Sequence, residues 1–158
     1  MPLPIVEYLH VLFGFTYVAA LMAAHWNALA ARRTTNWNER AALFELNRRL
    51  GIVFALGSLI GAGVLGQLLG MSLGYRMADT RSFQIANALW LVNLIVLLAV
   101  DLPQGARLAG QARAAANGGA TNEPVGYTGA LDRWRIGNAV QLLVFLVLLW
   151  FMVSPWHK

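Results

Sequence analysis

The chain has 158 residues, of which 58% are hydrophobic and only 12% charged; its net charge is +5 and it contains no cysteine. The missing cysteines exclude disulfides, thiolate metal sites and cysteine nucleophiles. The positive charge gathers in the connections between apolar runs, where it orients a membrane protein rather than binding nucleic acid.

Four apolar runs cover about residues 3–31, 50–73, 83–102 and 136–153. Each has about the 20 apolar residues that a helix needs to cross ~30 Å of hydrocarbon. The expected fold is an all-α membrane protein: a single domain of four transmembrane helices, with a short interfacial amphipathic helix before the second. The first run has no basic residue before it and is longer than a signal-peptide core, so it is expected to be retained.

Span one opens with Pro2 and Pro4, which suit a first helical turn, and holds Glu7, His10 and His25 before Arg32 and Arg33. Residues 36–50 alternate Trp37, Ala41, Leu43, Phe44 and Leu46 with Glu39, Arg40, Glu45, Arg48 and Arg49. That pattern predicts an amphipathic helix, with Asn38 as a candidate cap, running into span two. Span two carries Gly57, Gly61, Gly66, Gly70 and Gly74 at four-residue spacings that allow close helix packing. The ladder serves either the bundle itself, with Gly61 and Gly66 against span one, or an interface with another subunit.

A short connection over 74–81 makes spans two and three antiparallel neighbours. Span three contains Gln84, Asn87 and Asn93 and is expected to stop at Pro103. The stretch 104–132, with its Ala and Gly run and its Asn117-Gly118-Gly119 turn signal, reads as the longest loop and carries no evident binding chemistry. Span four opens at Asp132-Arg133-Trp134-Arg135, holds Asn138 and Gln141, and ends before Pro155. The polar amides of spans three and four are expected to bond between helices.

Arg32, Arg33, Arg40, Arg48 and Arg49 separate the first two spans, and Arg107, Arg113, Arg133 and Arg135 the last two; these are nine of the twelve basic residues. The positive-inside rule places both loops in the cytoplasm of a bacterial-type inner membrane, with both termini periplasmic. The expected partners are the lipid bilayer and a second copy or another membrane subunit.

Ionisable groups inside a bilayer are costly, which singles out His10 and His25. They lie 15 residues apart, about 22 Å along a helix and ~60° apart around it. Gly14 and Tyr17 share their face, and Gly14 would leave room for a porphyrin. This pattern suggests haem b with His10 as an axial ligand, its other nitrogen held by Glu7. The second ligand would be Met71, Met152, His157 or a residue of another subunit. Copper is a weaker alternative at the histidines, because the methionines do not cluster. His25 also reads as an interfacial anchor beside Trp26. Arg48, Arg49, Arg133 and Arg135 set topology, or hold an anionic headgroup or a carboxylate.

Leu9-His10-Val11 with Tyr17, and Arg135-Ile136-Gly137-Asn138 with the closing Met152-Val153-Ser154-Pro155, resemble the first and last spans of small four-span membrane proteins. That group includes the HemJ-type protoporphyrinogen oxidases and CopD-like proteins. The resemblance implies a haem b-binding redox protein acting on a quinone or tetrapyrrole, with His10, Gly14, Tyr17, Arg135 and Asn138 near the cofactor. Gln141 stands where the HemJ pattern has proline and Ser154 where it has lysine, so the resemblance implies haem ligation more than tetrapyrrole oxidation. The scarcity of polar groups supports an alternative, a non-catalytic structural or accessory subunit.

Overall fold

Backbone amides and carbonyls cannot be left unpaired in hydrocarbon, so apolar runs of this length must be helical. The computed structural model describes residues 3–76, 79–120 and 122–153, and among these there are helices and turns but no strand. Four helices are long and apolar enough to cross a membrane: α1, Leu3–Arg33; α2, Trp37–Ser72; α3, Arg81–Asn117; and α4, Tyr127–Val153. They alternate in direction, so Leu3 and Val153 lie at one end of the bundle and the arginine-rich connections at the other.

Two expectations about helix limits are corrected. Pro103 does not end the third helix. The chain widens into a π-helical turn over Leu97–Asp101, where the Leu102 N–H reaches back five residues to the Leu97 carbonyl. A wide turn gives the proline ring clearance from the preceding carbonyls, and the helix runs on to Asn117. Most of the expected long loop is therefore helix. The fourth helix likewise starts at Tyr127 rather than near Asp132.

The amphipathic segment and span two form one unbroken helix, joined through a second π-helical turn at Gly51–Leu56. Ser58 donates its hydroxyl proton to the carbonyls of Phe54 and Ala55, supporting that turn. The helix is capped by Asn36, whose side-chain oxygen accepts the Asn38 N–H at 2.9 Å, and not by Asn38 as expected. Gly74 and Gly119 close the second and third helices at positive φ. Their following residues, Tyr75 and Ala120, return N–H bonds to Gly70 and Ala115 at 2.9 and 3.0 Å.

Helices of 36 and 37 residues are about 55 Å long at 1.5 Å per residue. The hydrocarbon accounts for ~30 Å of that. The remainder is the arginine-rich half, where Ala24, Ala28, Ala31, Trp37, Phe44, Leu108, Ala112, Tyr127, Leu131 and Trp134 form one buried cluster. A second cluster, of Tyr17, Leu21, Ala55, Leu59, Leu97 and Phe145, fills the lipid half. Around it Val53, Phe54, Val64, Leu68, Leu91, Leu143 and Trp150 point outward, as expected of helices facing lipid.

The glycine ladder is occupied from within the chain. A Cβ on Gly61 would meet the Phe13 ring at 3.0 Å, one on Gly66 the His10 ring at 2.8 Å and one on Gly70 the Phe83 ring at 2.7 Å; Gly63 lies under Trp90. Helices α1 and α2 thus pack through Gly61 and Gly66, and α2 and α3 through Gly63 and Gly70. Gly57 and Gly74 of this series have open space beside them.

Candidate functional site

The polar side chains of the spans tie the bundle together. The Tyr17 hydroxyl donates to Asn93 Oδ1 at 3.4 Å, and Gln141 Nε2 donates to the Asn93 carbonyl at 3.1 Å. Gln67 donates to Asn87 between α2 and α3, and Trp90 donates its indole N–H to the Leu59 carbonyl at 2.8 Å. On the arginine-rich side of this layer Asn27 donates to Asn47 Oδ1 at 2.8 Å, and Asn47 donates to the Ala24 carbonyl at 3.3 Å. Intramembrane amides paired across helices act as fasteners.

Asp101 is different. It is the only buried acid among the described residues, 4% exposed. Its Oδ2 accepts from Asn138 Nδ2 at 3.4 Å, and its main-chain oxygen accepts the Trp134 indole N–H at 3.1 Å. Its Oδ1 has no hydrogen-bond partner. Gly137 brings the α4 backbone close, so that a Cβ there would lie 3.5 Å from that oxygen. Beside the carboxyl is a cavity of about 30 Å³, lined on its polar side by Asn47, Arg48, Asp101 and Asn138. Gly51 and Ala55 of one π-helical turn and Leu97 and Asp101 of the other line the same cavity. Both departures from α geometry therefore border one space, and such turns recur at functional sites.

The residues singled out from the sequence do not come together at one point. His10 is half-buried and lies against α2, where Nδ1 is 2.8 Å from the Ala62 carbonyl oxygen. The expected partner Glu7 is exposed. Gly14 and Tyr17 face α4 instead: the Phe145 ring is 3.7 Å from a Cβ on Gly14 and its centroid 4.9 Å from that of Tyr17. The face meant to admit a porphyrin is thus filled by phenylalanine. Asn138 joins Asp101, while Arg135 reaches Asp132 at 3.5 Å and leaves its buried Nε unpartnered.

His25 is half-buried next to the exposed Trp26. Among the described residues no three His, Asp or Glu side chains gather at one point. Met71 is exposed on α2, and His157 lies outside the described residues.

Arg32, Arg40, Arg48 and Arg49 are engaged. Arg48 and Arg49 both hold Glu45, at 2.8 and 3.4 Å. Arg32 pairs with Asp132 at 2.9 Å. Arg40 lies 4.3 Å over the Trp37 ring and donates to the Thr34 carbonyl at 2.9 Å. Sequence reasoning passed over Asp101 because it was read as the end of a span. The available signal was an acid closing an apolar run with no basic residue within a helical turn.

No protein-family model, curated protein or solved structure matches the chain, so its likeness to HemJ-type and CopD-like proteins rests on the residues quoted from its first and last spans.

Proposed function

We propose that this integral membrane protein is a redox protein that binds haem b through His10. The supporting observation is the bond to Ala62. A carbonyl only accepts, so Nδ1 carries the proton, and in the neutral ring Nε2 keeps its lone pair for a metal. Metal-ligating histidines are typically fixed in this way by a backbone or carboxylate acceptor. The residues fit the group at the ligand, whereas the Gly14 and Tyr17 face, closed by Phe145, does not contribute room. When bound, the haem would supply electron exchange with a quinone or tetrapyrrole. The chain's own part is to hold the imidazole through Ala62, with the ring seated over Gly66. Copper at His10 is the weaker form of the same reading.

The test is the absorption spectrum of the purified protein after haem reconstitution. A Soret band that is lost in His10→Ala and kept in His25→Ala is the expected result. Full haem retention in His10→Ala would remove the ligand and the reading with it. One observation favours the second reading, an accessory subunit of a larger membrane complex. The span amides Asn87, Asn93, Asn138 and Gln141 are all engaged in holding the bundle together. A colourless preparation that co-purifies with a partner subunit would support it.

The arginine-rich half is proposed to face the cytoplasm of a bacterial-type inner membrane, with both termini periplasmic. In intact cells Leu73→Cys should react with an impermeant thiol reagent and Asn122→Cys should not. The reverse pattern would invert the orientation.

A further inference from the structure

A buried carboxylate with an unpartnered oxygen is costly in apolar surroundings, and proteins relieve that cost by a proton, a water or a counter-charge. Asp101 has the first two options at hand. The cavity beside it, about 30 Å³, exceeds the ~10–15 Å³ that one water needs. The nearest guanidinium, that of Arg48, lines the cavity but is held away on Glu45 by Nε at 3.1 Å and Nη2 at 2.8 Å.

We infer that Asp101 is a proton-exchange site: its carboxyl takes up and releases a proton through a water in the cavity bounded by the two π-helical turns, on the arginine-rich side of the membrane core. In the step itself a lone pair on Oδ1 takes H⁺ from the water, which is resupplied from the aqueous side past Asn47 and Arg48. The carboxylate becomes a carboxylic acid and no electron moves. Asn138 holds Oδ2, and Trp134 fixes the backbone at the same residue. Gly137 leaves Oδ1 uncovered.

The groups that face this carboxyl come from every neighbouring helix. On α1 the nearest such group is Tyr17, whose hydroxyl is turned to Asn93. Arg48 lines the cavity from α2 but stays on Glu45, and on α4 Arg135, one turn before Asn138, reaches Asp132. The site does not rest on the haem reading, and its test uses no haem.

The test is infrared difference spectroscopy on the full chain in lipid vesicles, as the pH is stepped in H₂O and in D₂O. The signal is read as wild type minus Asp101→Asn, which cancels the exposed carboxyls. A deuterium-sensitive carboxylic acid band that appears in this difference is expected, with a displaced counterpart in Asp101→Glu. Asn138→Ala should move its midpoint upward by about one pH unit, because the hydrogen-bond donor that favours the carboxylate at Oδ2 is gone. No titrating band in the difference taken against Asp101→Asn, and none in the difference taken against Asp101→Glu, would overturn the proposal. A band that survives unchanged in Asp101→Asn, or one that follows sodium at fixed pH instead of pH, would also overturn it.

Discussion

The two halves of the bundle contain the same four helices and are held together by different forces. In the arginine-rich half, water surrounds the helices, and burying Phe44, Tyr127 and Trp134 among alanines removes apolar surface from it. In the lipid half, the surroundings are as apolar as the core. Leaving lipid for protein brings no hydrophobic gain, so close fit and polar fasteners must hold the helices. The sequence reflects this difference. Alanine and large aromatics line the first core, while the second uses glycines that receive rings and amides that bond across helices.

The comparison can be broken most sharply by matched truncations. Phe44 and Leu59 are both fully buried, one in each half. Phe44→Ala should cost about 3–5 kcal/mol of stability, the usual range for an aromatic in a water-driven core. Leu59→Ala should cost less than half of that, measured by denaturation in lipid or mild detergent. Equal losses would mean that the halves do not differ in solvent.

Overpacking comes next. Gly61→Leu and Gly66→Leu push against the Phe13 and His10 rings and should each cost about 1–3 kcal/mol, seen as a lower melting temperature or failed assembly. Unchanged melting in both would place those glycines away from α1. The smallest effect is expected at the half-exposed Arg32–Asp132 pair. Arg32→Gln should lower stability by less than ~1 kcal/mol, and the difference should shrink in high salt. A large, salt-insensitive loss would show that this surface is more shielded than its exposure suggests.

The helices themselves were legible because hydrocarbon permits little else, and so were the cross-helix amides, since an unpaired amide there is costly. Three features were not legible, for separate reasons. Proline normally ends a helix, and nothing in Leu97–Asp101 announces the widened turn that lets α3 continue past Pro103. His10 bonds to a backbone carbonyl, and a backbone acceptor leaves no mark in the sequence. Whether Gly14 faces a void or a ring depends on the position of Phe145, which is set by a helix more than a hundred residues later. The candidate haem residues were chosen as one helical face, and the bundle splits that face between α2 and α4.

Each π-helical turn inserts a residue without adding a turn, so it rotates everything beyond it by about 100° relative to a continuous α-helix. For Trp37–Ser72 this means two faces with separate phases. The stripe that seats Phe44 in the arginine-rich core is out of step with the stripe that presents glycines to α1 and α3. Deleting one residue within Gly51–Leu56 would bring the stripes back into phase, and in doing so would turn either the rings out of their glycine seats or Phe44 out of its core.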